Sequence, residues 1–299
     1  MSYPRILQKV MMEPWAIMPS MHDTICDILV AHMEGRGAVM EKTAMANFQL
    51  PREEIKADSG NPRPGPHGTM KQPGSALYTR GSLAVIPVDG VIGIKLSMME
   101  QLCGGQSIEA VQNMVEAAYN DPNVTKVLFD VSSPGGMTYS IAETAAMIAD
   151  LSKKKETFSV TEELQGSAAQ WLASQTRASY ATSASVVGSI GVFTARLDLS
   201  KQREQDGENL QIIKAGKYKA MGATGPLTDD ERALLQTIVD ENYADFTKAV
   251  AKGRNKYAGK NVTDETMQGQ IFSGKQSVQN GLVDALVPSV LYMVRQLSS

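Results

Sequence analysis

The chain has 299 residues, 42% apolar and 20% charged, which is enough for one large domain or two ordinary ones with a buried core and excludes disorder throughout. With 29 Lys and Arg against 32 Asp and Glu, its net charge of -3 offers no general attraction to nucleic acid or to an anionic membrane surface. Two cysteines, Cys26 and Cys103, exclude a disulfide framework or a Cys-rich zinc site and suit a reducing compartment.

In chain order, the N-terminus mixes Pro4, Arg5, Lys9, Glu13 and Pro14 with no uninterrupted apolar stretch, so no signal peptide is expected. Residues 20 to 33 read as an amphipathic helix, with Ser20 as cap and Ile25, Ile28, Leu29, His32 and Met33 at helical spacing, inside an N-terminal helical arm of residues 1-50. Five prolines (51, 62, 64, 66, 73) interleave with Gly60, Gly65, Gly68 and Gly74, so residues 51-80 read as a flexible linker. The main domain, residues 81-299, then alternates short β-rich runs with helical ones, the pattern of a layered α/β domain.

Within it, residues 83 to 88 and 91 to 94 are predicted strands around an Asp89-Gly90 turn. Ser107 caps a helix carrying Ile108, Val111, Val115 and Ala118, ending near Asp121-Pro122. A buried strand over 126 to 131 runs into Ser132-Ser133-Pro134-Gly135-Gly136, and Ile141, Ala145, Ile148 and Leu151 mark the next helix. Lys153, Lys154 and Lys155 read as a solvated helix end. A strand is expected over 157 to 160, a helix over 165 to 174 and a glycine-punctuated strand segment over 185 to 193. Thr228-Asp229-Asp230-Glu231 fits a capping box before a long helix with Leu235, Val239, Phe246 and Val250. No window approaches the ~20 apolar residues of a membrane span, so a soluble chain is expected.

Three features could carry chemistry. Pro134-Gly135-Gly136, a turn between strand and helix, leaves backbone N–H groups free where an oxyanion could sit, although the same residues also make a simple tight turn. Ser167, among Gly166, Ala168 and Ala169 at a helix start, is either an N-cap or a nucleophile with the Ala168 N–H beside its hydroxyl. The three histidines, His22, His32 and His67, all precede residue 68, so any base in the main domain must be something else. A lysine can serve when neutral, and Lys217-Tyr218-Lys219 lies in a stretch without acidic residues from Gln211 to Thr228; Lys219 is otherwise a surface loop lysine.

In order, Ser133-Pro134-Gly135-Gly136, the segment from Gly166-Ser167-Ala168-Ala169 to Ser174, Gly188-Ser189-Ile190-Gly191-Val192, Tyr218-Lys219 and Phe272-Ser273-Gly274-Lys275 through Asn280-Gly281-Leu282-Val283-Asp284 resemble the signal peptide peptidase A family of Ser-Lys peptidases. Within it the chain looks most like the prohead proteases of lambda-type phages, over about residues 82 to 288. The resemblance implies the fold shared by the Clp protease subunit and the crotonases, built of repeated ββα units. It implies Ser167 as nucleophile, Lys219 as general base and Ser189 as a hydroxyl that orients the lysine. Gly136 and Ala168 match the oxyanion-hole positions, with Gly135 close enough to be confused with Gly136. No metal and no cofactor are implied.

The implied function is a serine endopeptidase that cleaves scaffold, portal or capsid proteins during phage head maturation, with self-processing in the exposed linker. It would work as a ring-shaped homo-oligomer in the host cytoplasm, within the forming head, one subunit's serine meeting the next subunit's lysine. The Ser167-Ala168-Ala169 segment departs from the Ser-Gly-Gly common in cellular relatives and is closer to the phage form. The alternatives are a cellular signal-peptide-peptidase-like enzyme that degrades peptides, and a non-catalytic capsid assembly factor of the same fold. A crotonase-type acyl-CoA enzyme would share the oxyanion logic but leave the Ser-Lys pair without a role.

Overall fold

The computed structural model describes residues 14–19, 21–22, 25, 78–97, 100–101, 104–196, 198–259 and 261–298. The 51–77 stretch of the expected linker, most of the helix expected over 20 to 33, and His32, His67, Cys26 and Cys103 lie outside them.

Two short strands, β1 (Trp15–Ile17) and β2 (Tyr78–Arg80), precede a run of similar units. In the first, β3 (Leu83–Asp89), β4 (Val91–Gly93) and β5 (Gly105–Ser107) lead into α1 (Ile108–Asn120). Strands β6 (Lys126–Ser132) and β7 (Gly135–Met137) lead into α2 (Ile141–Lys154), and β8 (Glu156–Thr161) and β9 (Leu164–Gly166) into α3 (Ala168–Ala173). After β10 (Ala178–Ala181) and β11 (Val186–Gly188) come α4 (Ser200–Gln205) and the long α5 (Asp229–Ala258). The chain closes through β12 (Ile271–Ser273), α6 (Gly274–Gln279), β13 (Ala285–Leu286) and α7 (Val290–Leu297).

The first long strand of each unit joins a six-stranded sheet of order β13-β10-β8-β6-β3-β2, parallel except for the antiparallel edge strand β2. The second strand of each unit leaves that sheet: β4 and β7 join a small sheet of order β1-β7-β4-β5, and β9 and β11 one of order β12-β11-β9. The expected α/β architecture of repeated ββα units is therefore the one observed. Central strands of a parallel sheet are covered on both faces, which is why β6 reads Val127-Leu128-Phe129 without alternation, all three buried. Ser107 caps α1, and Thr228 with Glu231 forms the expected capping box on α5.

Two expectations are corrected. The helix expected from residue 165 begins at Ala168, because residues 164–166 pair with β11 as a strand. Lys155 is not solvated but buried: its ammonium donates to Asp121 O at 2.7 Å and to Ala118 O, carbonyls at the C-terminal end of α1, and the burial lowers its pKa.

Helix α3 is buried along its whole length, and the Trp171 ring stacks on Phe246 of α5 at 4.7 Å and 9°. Near its C-terminus α5 is fastened by Arg254, which is fully buried: Nη2 pairs with Asp284 Oδ1 at 2.8 Å and Nε donates to Gly281 O at 3.0 Å. The other Asp284 oxygen accepts the Ser179 N–H of β10 at 2.7 Å. Removing the guanidinium leaves that carboxylate without its counter-charge, so Arg254→Met is expected to lower unfolding stability by about 3 kcal/mol, read as a shifted urea midpoint at unchanged slope.

Candidate active site

The site forms where the small sheets meet the ends of the long strands. Gly166 pairs with Gly188 across the parallel β9–β11 contact, so Ser167 and Ser189 each stand one residue beyond a paired glycine, on neighbouring strand ends. Both take left-handed backbone, Ser167 at φ 50 and Ser189 at φ 52. Serine rarely adopts that region, at a cost of order 1–3 kcal/mol, and it persists only where the surroundings fix it. Here the Ser167 N–H donates to Gly188 O at 2.7 Å, the Ser167 carbonyl accepts from Trp171 N at 3.0 Å, and the Ser189 N–H donates to Gln270 O at 2.6 Å. Ser167 is thus the apex of a sharp strand-to-helix turn, a geometry that projects a hydroxyl forward from the strand end. Its side chain is fully buried, and its Oγ has no hydrogen-bond partner among the described residues. As the N-cap of α3 it makes no side-chain capping bond, so the capping role weighed for it is not the one it plays.

The Pro134-Gly135-Gly136 turn comes to the same place, linked by the Gly166 N–H to Ser133 O bond of 2.9 Å. Gly135 has φ +97, and a methyl group built on it would lie 2.8 Å from Ser167 Cβ and 2.9 Å from the Ala168 nitrogen. A methyl group on Gly136 would fall 1.9 Å from Ile92 O. Both positions therefore exclude any side chain, the first by conformation and contact, the second by contact with backbone. The Gly135 N–H is engaged by Ser133 Oγ at 3.2 Å, and that hydroxyl in turn donates to Gly90 O at 2.6 Å.

The structure thus gathers Gly135, Gly136, Ser167, Ala168 and Ser189, while Lys219 is exposed and makes no hydrogen bond to the buried Ser167 hydroxyl. It sits on an exposed loop, its N–H donating to Gly216 O at 3.2 Å, and no carboxylate pairs with it among the described residues. Asp230 reaches this loop, where it binds Lys217, raises its pKa and holds it as a cation. Around Lys219 the loop exposes Leu210, Ile212, Ile213 and Tyr218, with Ile213 at 103%. His22 is buried edge-on between Trp15 and Phe193, at ring distances of 5.7 and 5.1 Å.

One neighbour of the site has no signal in the sequence. Strand β1 pairs antiparallel with β7, placing Ile17 opposite Gly135 and Ala16 opposite Gly136. A three-residue strand is too short for periodicity to reveal.

A cavity of about 520 Å³ lies at the other end of the six-stranded sheet, lined in part by Tyr119, Lys154, Lys155, Glu156 and Arg177. Its cations are spent on helix ends: Lys154 donates to Tyr119 O at 3.0 Å and Arg177 Nε to Ser152 O at 2.6 Å. It braces the termini of α1 and α2 and holds none of the residues gathered around Ser167.

Residues 149–292 match the model of Peptidase family S49. The chain is 36% identical over 173 residues to "Putative protease MJ0651" of Methanocaldococcus jannaschii, covering 58% of this chain and 55% of that one. It is 28% identical over 209 residues to the capsid assembly protease C of Escherichia phage lambda, covering 69% of this chain and 47% of that one. The chain spans about half the length of these relatives. An enoyl-CoA hydratase/isomerase family member of known structure superposes with a TM-score of 0.43 at 14% identity, over 75% of each chain.

Gly136→Ala is expected to destabilise the protein by ~1–3 kcal/mol, since its methyl group meets backbone that cannot turn aside. Gly225→Ala, where a methyl group meets nothing within 4 Å, should leave stability within about 0.5 kcal/mol in the same urea titration.

Proposed function

We propose, for a chain whose residues 149–292 belong to peptidase family S49, a serine endopeptidase in which Ser167 is the nucleophile and Lys219 the general base. The observation that carries this reading is the Ser167 turn: a buried hydroxyl with no hydrogen-bond partner among the described residues, on strained backbone, beside glycines that no side chain could replace. Such strain is kept where it serves a reaction. Ser167 Oγ attacks a peptide carbonyl while neutral Lys219, oriented by Ser189, accepts its proton. The oxyanion is held by the N–H groups of Gly136 and Ala168; the Gly135 N–H, already given to Ser133 Oγ, is the weaker candidate. Water activated by the same lysine then hydrolyses the acyl-enzyme.

The lysine comes from a neighbouring subunit. A buried serine and an exposed lysine loop fringed with Leu210, Ile212, Ile213 and Tyr218 fit a head-to-tail contact in which the loop of one copy closes the site of the next. A head-to-tail contact that closes on itself gives a ring-shaped homo-oligomer. The same contact covers apolar side chains that otherwise face water.

The substrates are proteins of a phage head, scaffold, portal or capsid chains cut during maturation inside the forming head in the host cytoplasm, with self-processing of the chain. Similarity to the capsid assembly protease of phage lambda supports this. Among the described residues no helix is long and apolar enough to cross a membrane. A second reading, a cellular peptide-degrading peptidase, is favoured by the higher identity to the archaeal relative. Incubation with purified head proteins and with casein separates the two, since a head protease cuts the former at few defined sites and a degradative enzyme cuts both broadly.

Ser167→Ala is expected to lower the cleavage rate by about a thousandfold or more with the fold intact, measured on the same head proteins with circular dichroism as control. Lys219→Arg should be equally inactive, because a guanidinium does not deprotonate in the working range. Full cleavage by either variant contradicts the assignment.

A further inference from the structure

The segment around β1 lies between two backbone edges beside Ser167. On one side β7 runs antiparallel to it, with Trp15 opposite Met137, Ala16 opposite Gly136 and Ile17 opposite Gly135. Thr138 N–H donates to Pro14 O at 3.4 Å and Met18 N–H to Pro134 O at 3.1 Å, each two residues from the Ala16–Gly136 pair. Bonded pairs in an antiparallel ladder recur every second residue, so Ala16 and Gly136 are themselves a bonded pair, with the Gly136 N–H directed at the Ala16 carbonyl. On the other side Trp15 exchanges both backbone bonds with Phe193, at 2.8 and 3.0 Å. An extended segment clasped along both edges is how a peptide is bound through its main chain, its side chains entering pockets alternately.

The placement of Ala16 is specific. A methyl group built on Gly135 would lie 2.2 Å from Ala16 O, the same point that lies 2.8 Å from Ser167 Cβ and 2.9 Å from Ala168 N. The carbonyl, the serine and the Ala168 N–H converge on one glycine, and the Gly136 N–H faces the carbonyl from the ladder. Ala16 is wholly buried, and Trp15 is buried against His22. Met18 lies over Gly166, its Sδ 3.1 Å from where a methyl group there would be.

We infer that residues 14–18 occupy the substrate groove of their own chain and that the enzyme cleaves its Ala16–Ile17 bond. The inference rests on the reading of Ser167 as nucleophile. Ser167 Oγ bonds to the Ala16 carbonyl carbon as its proton passes to Lys219. The bond from that carbon to the Ile17 nitrogen breaks, and the nitrogen takes the proton and leaves as an amine. Water then hydrolyses the Ala16 ester, giving a carboxylate on Ala16 and restoring the Ser167 hydroxyl. Until residues 1–16 are released, the strand excludes other proteins from the groove. The bound sequence also defines a preference for other substrates: a small residue on the acyl side of the cut, preceded by a large aromatic one.

The experiment uses the full chain. Intact-mass and N-terminal analysis after incubation should show a species starting at Ile17 together with residues 1–16, both absent from Ser167→Ala. Occupancy is read without catalysis by hydrogen exchange on Ser167→Ala: the Trp15 and Met18 amides should exchange at least about tenfold more slowly than in an unstructured chain. Adding Ala16→Trp, whose ring has no room beside Gly135, should abolish that protection while the β6 and β8 amides keep theirs. Unprotected Trp15 and Met18 amides in Ser167→Ala overturn the inference. So does a chain that digests casein in a Ser167-dependent way yet never yields the Ile17 end, an outcome that leaves the proposed function standing. Protected amides with no Ser167-dependent cleavage of any substrate contradict the nucleophile assignment, and the self-cleavage with it.

Discussion

The left-handed backbone of Ser167 is the constraint on which the candidate site depends. A residue with a Cβ holds φ 50 only when neighbouring groups outweigh the local cost, and three of them do so here. The parallel pairing of β9 with β11 delivers Gly188 O to the Ser167 N–H, the first turn of α3 takes up the Ser167 carbonyl, and the stacking of Trp171 on Phe246 fixes α3 against α5. Strand pairing, helix burial and the long helix therefore converge on one pair of dihedral angles. The ion pair of Arg254 with Asp284 extends the chain of support, tying α5 to the edge of the parallel sheet at β10 and β13.

The glycines complete that constraint from the other side. Gly135 and Gly136 bring the backbone of β7 so close to Ser167, Ala168 and Ile92 that a single methyl group could not be accommodated. A groove lined by backbone rather than by side chains binds an extended peptide chiefly through its main chain, which suits the peptidase proposed. The N-terminal strand already satisfies both edges of that groove, and the proposed lysine lies on an exposed apolar loop. On the proposed reading, cleavage of other proteins awaits two events: the approach of a neighbouring subunit and the clearing of the groove.

Much of this was legible in the sequence because the signals are local. Buried parallel strands announce themselves as apolar runs such as Val127-Leu128-Phe129, and helices through caps such as Ser107 and Thr228. Glycine and serine at the ends of those runs marked the places where backbone would come close. What escaped is what depends on distant partners. Strands β1, β7, β9 and β12 have three residues each, too few for a period of two to register, and exist because other strands lie beside them. Lys155 read as one of three solvated lysines, but the carbonyls it satisfies lie at the end of α1, more than thirty residues earlier. That Ser167 is buried and Lys219 exposed is likewise a matter of tertiary placement that no spacing reveals.

The central claim is that serine and lysine act together across a subunit boundary, and mixing two inactive proteins tests it directly. Ser167→Ala subunits retain a competent lysine loop, and Lys219→Ala subunits retain a competent serine. Co-assembled in equal amounts, they should recover roughly a quarter of the wild-type cleavage rate, since a head-to-tail ring of randomly mixed subunits pairs an intact serine with an intact lysine at that frequency. Each variant alone should remain inactive. A mixture as inactive as its components, in rings shown by native mass spectrometry to contain both, would contradict the account.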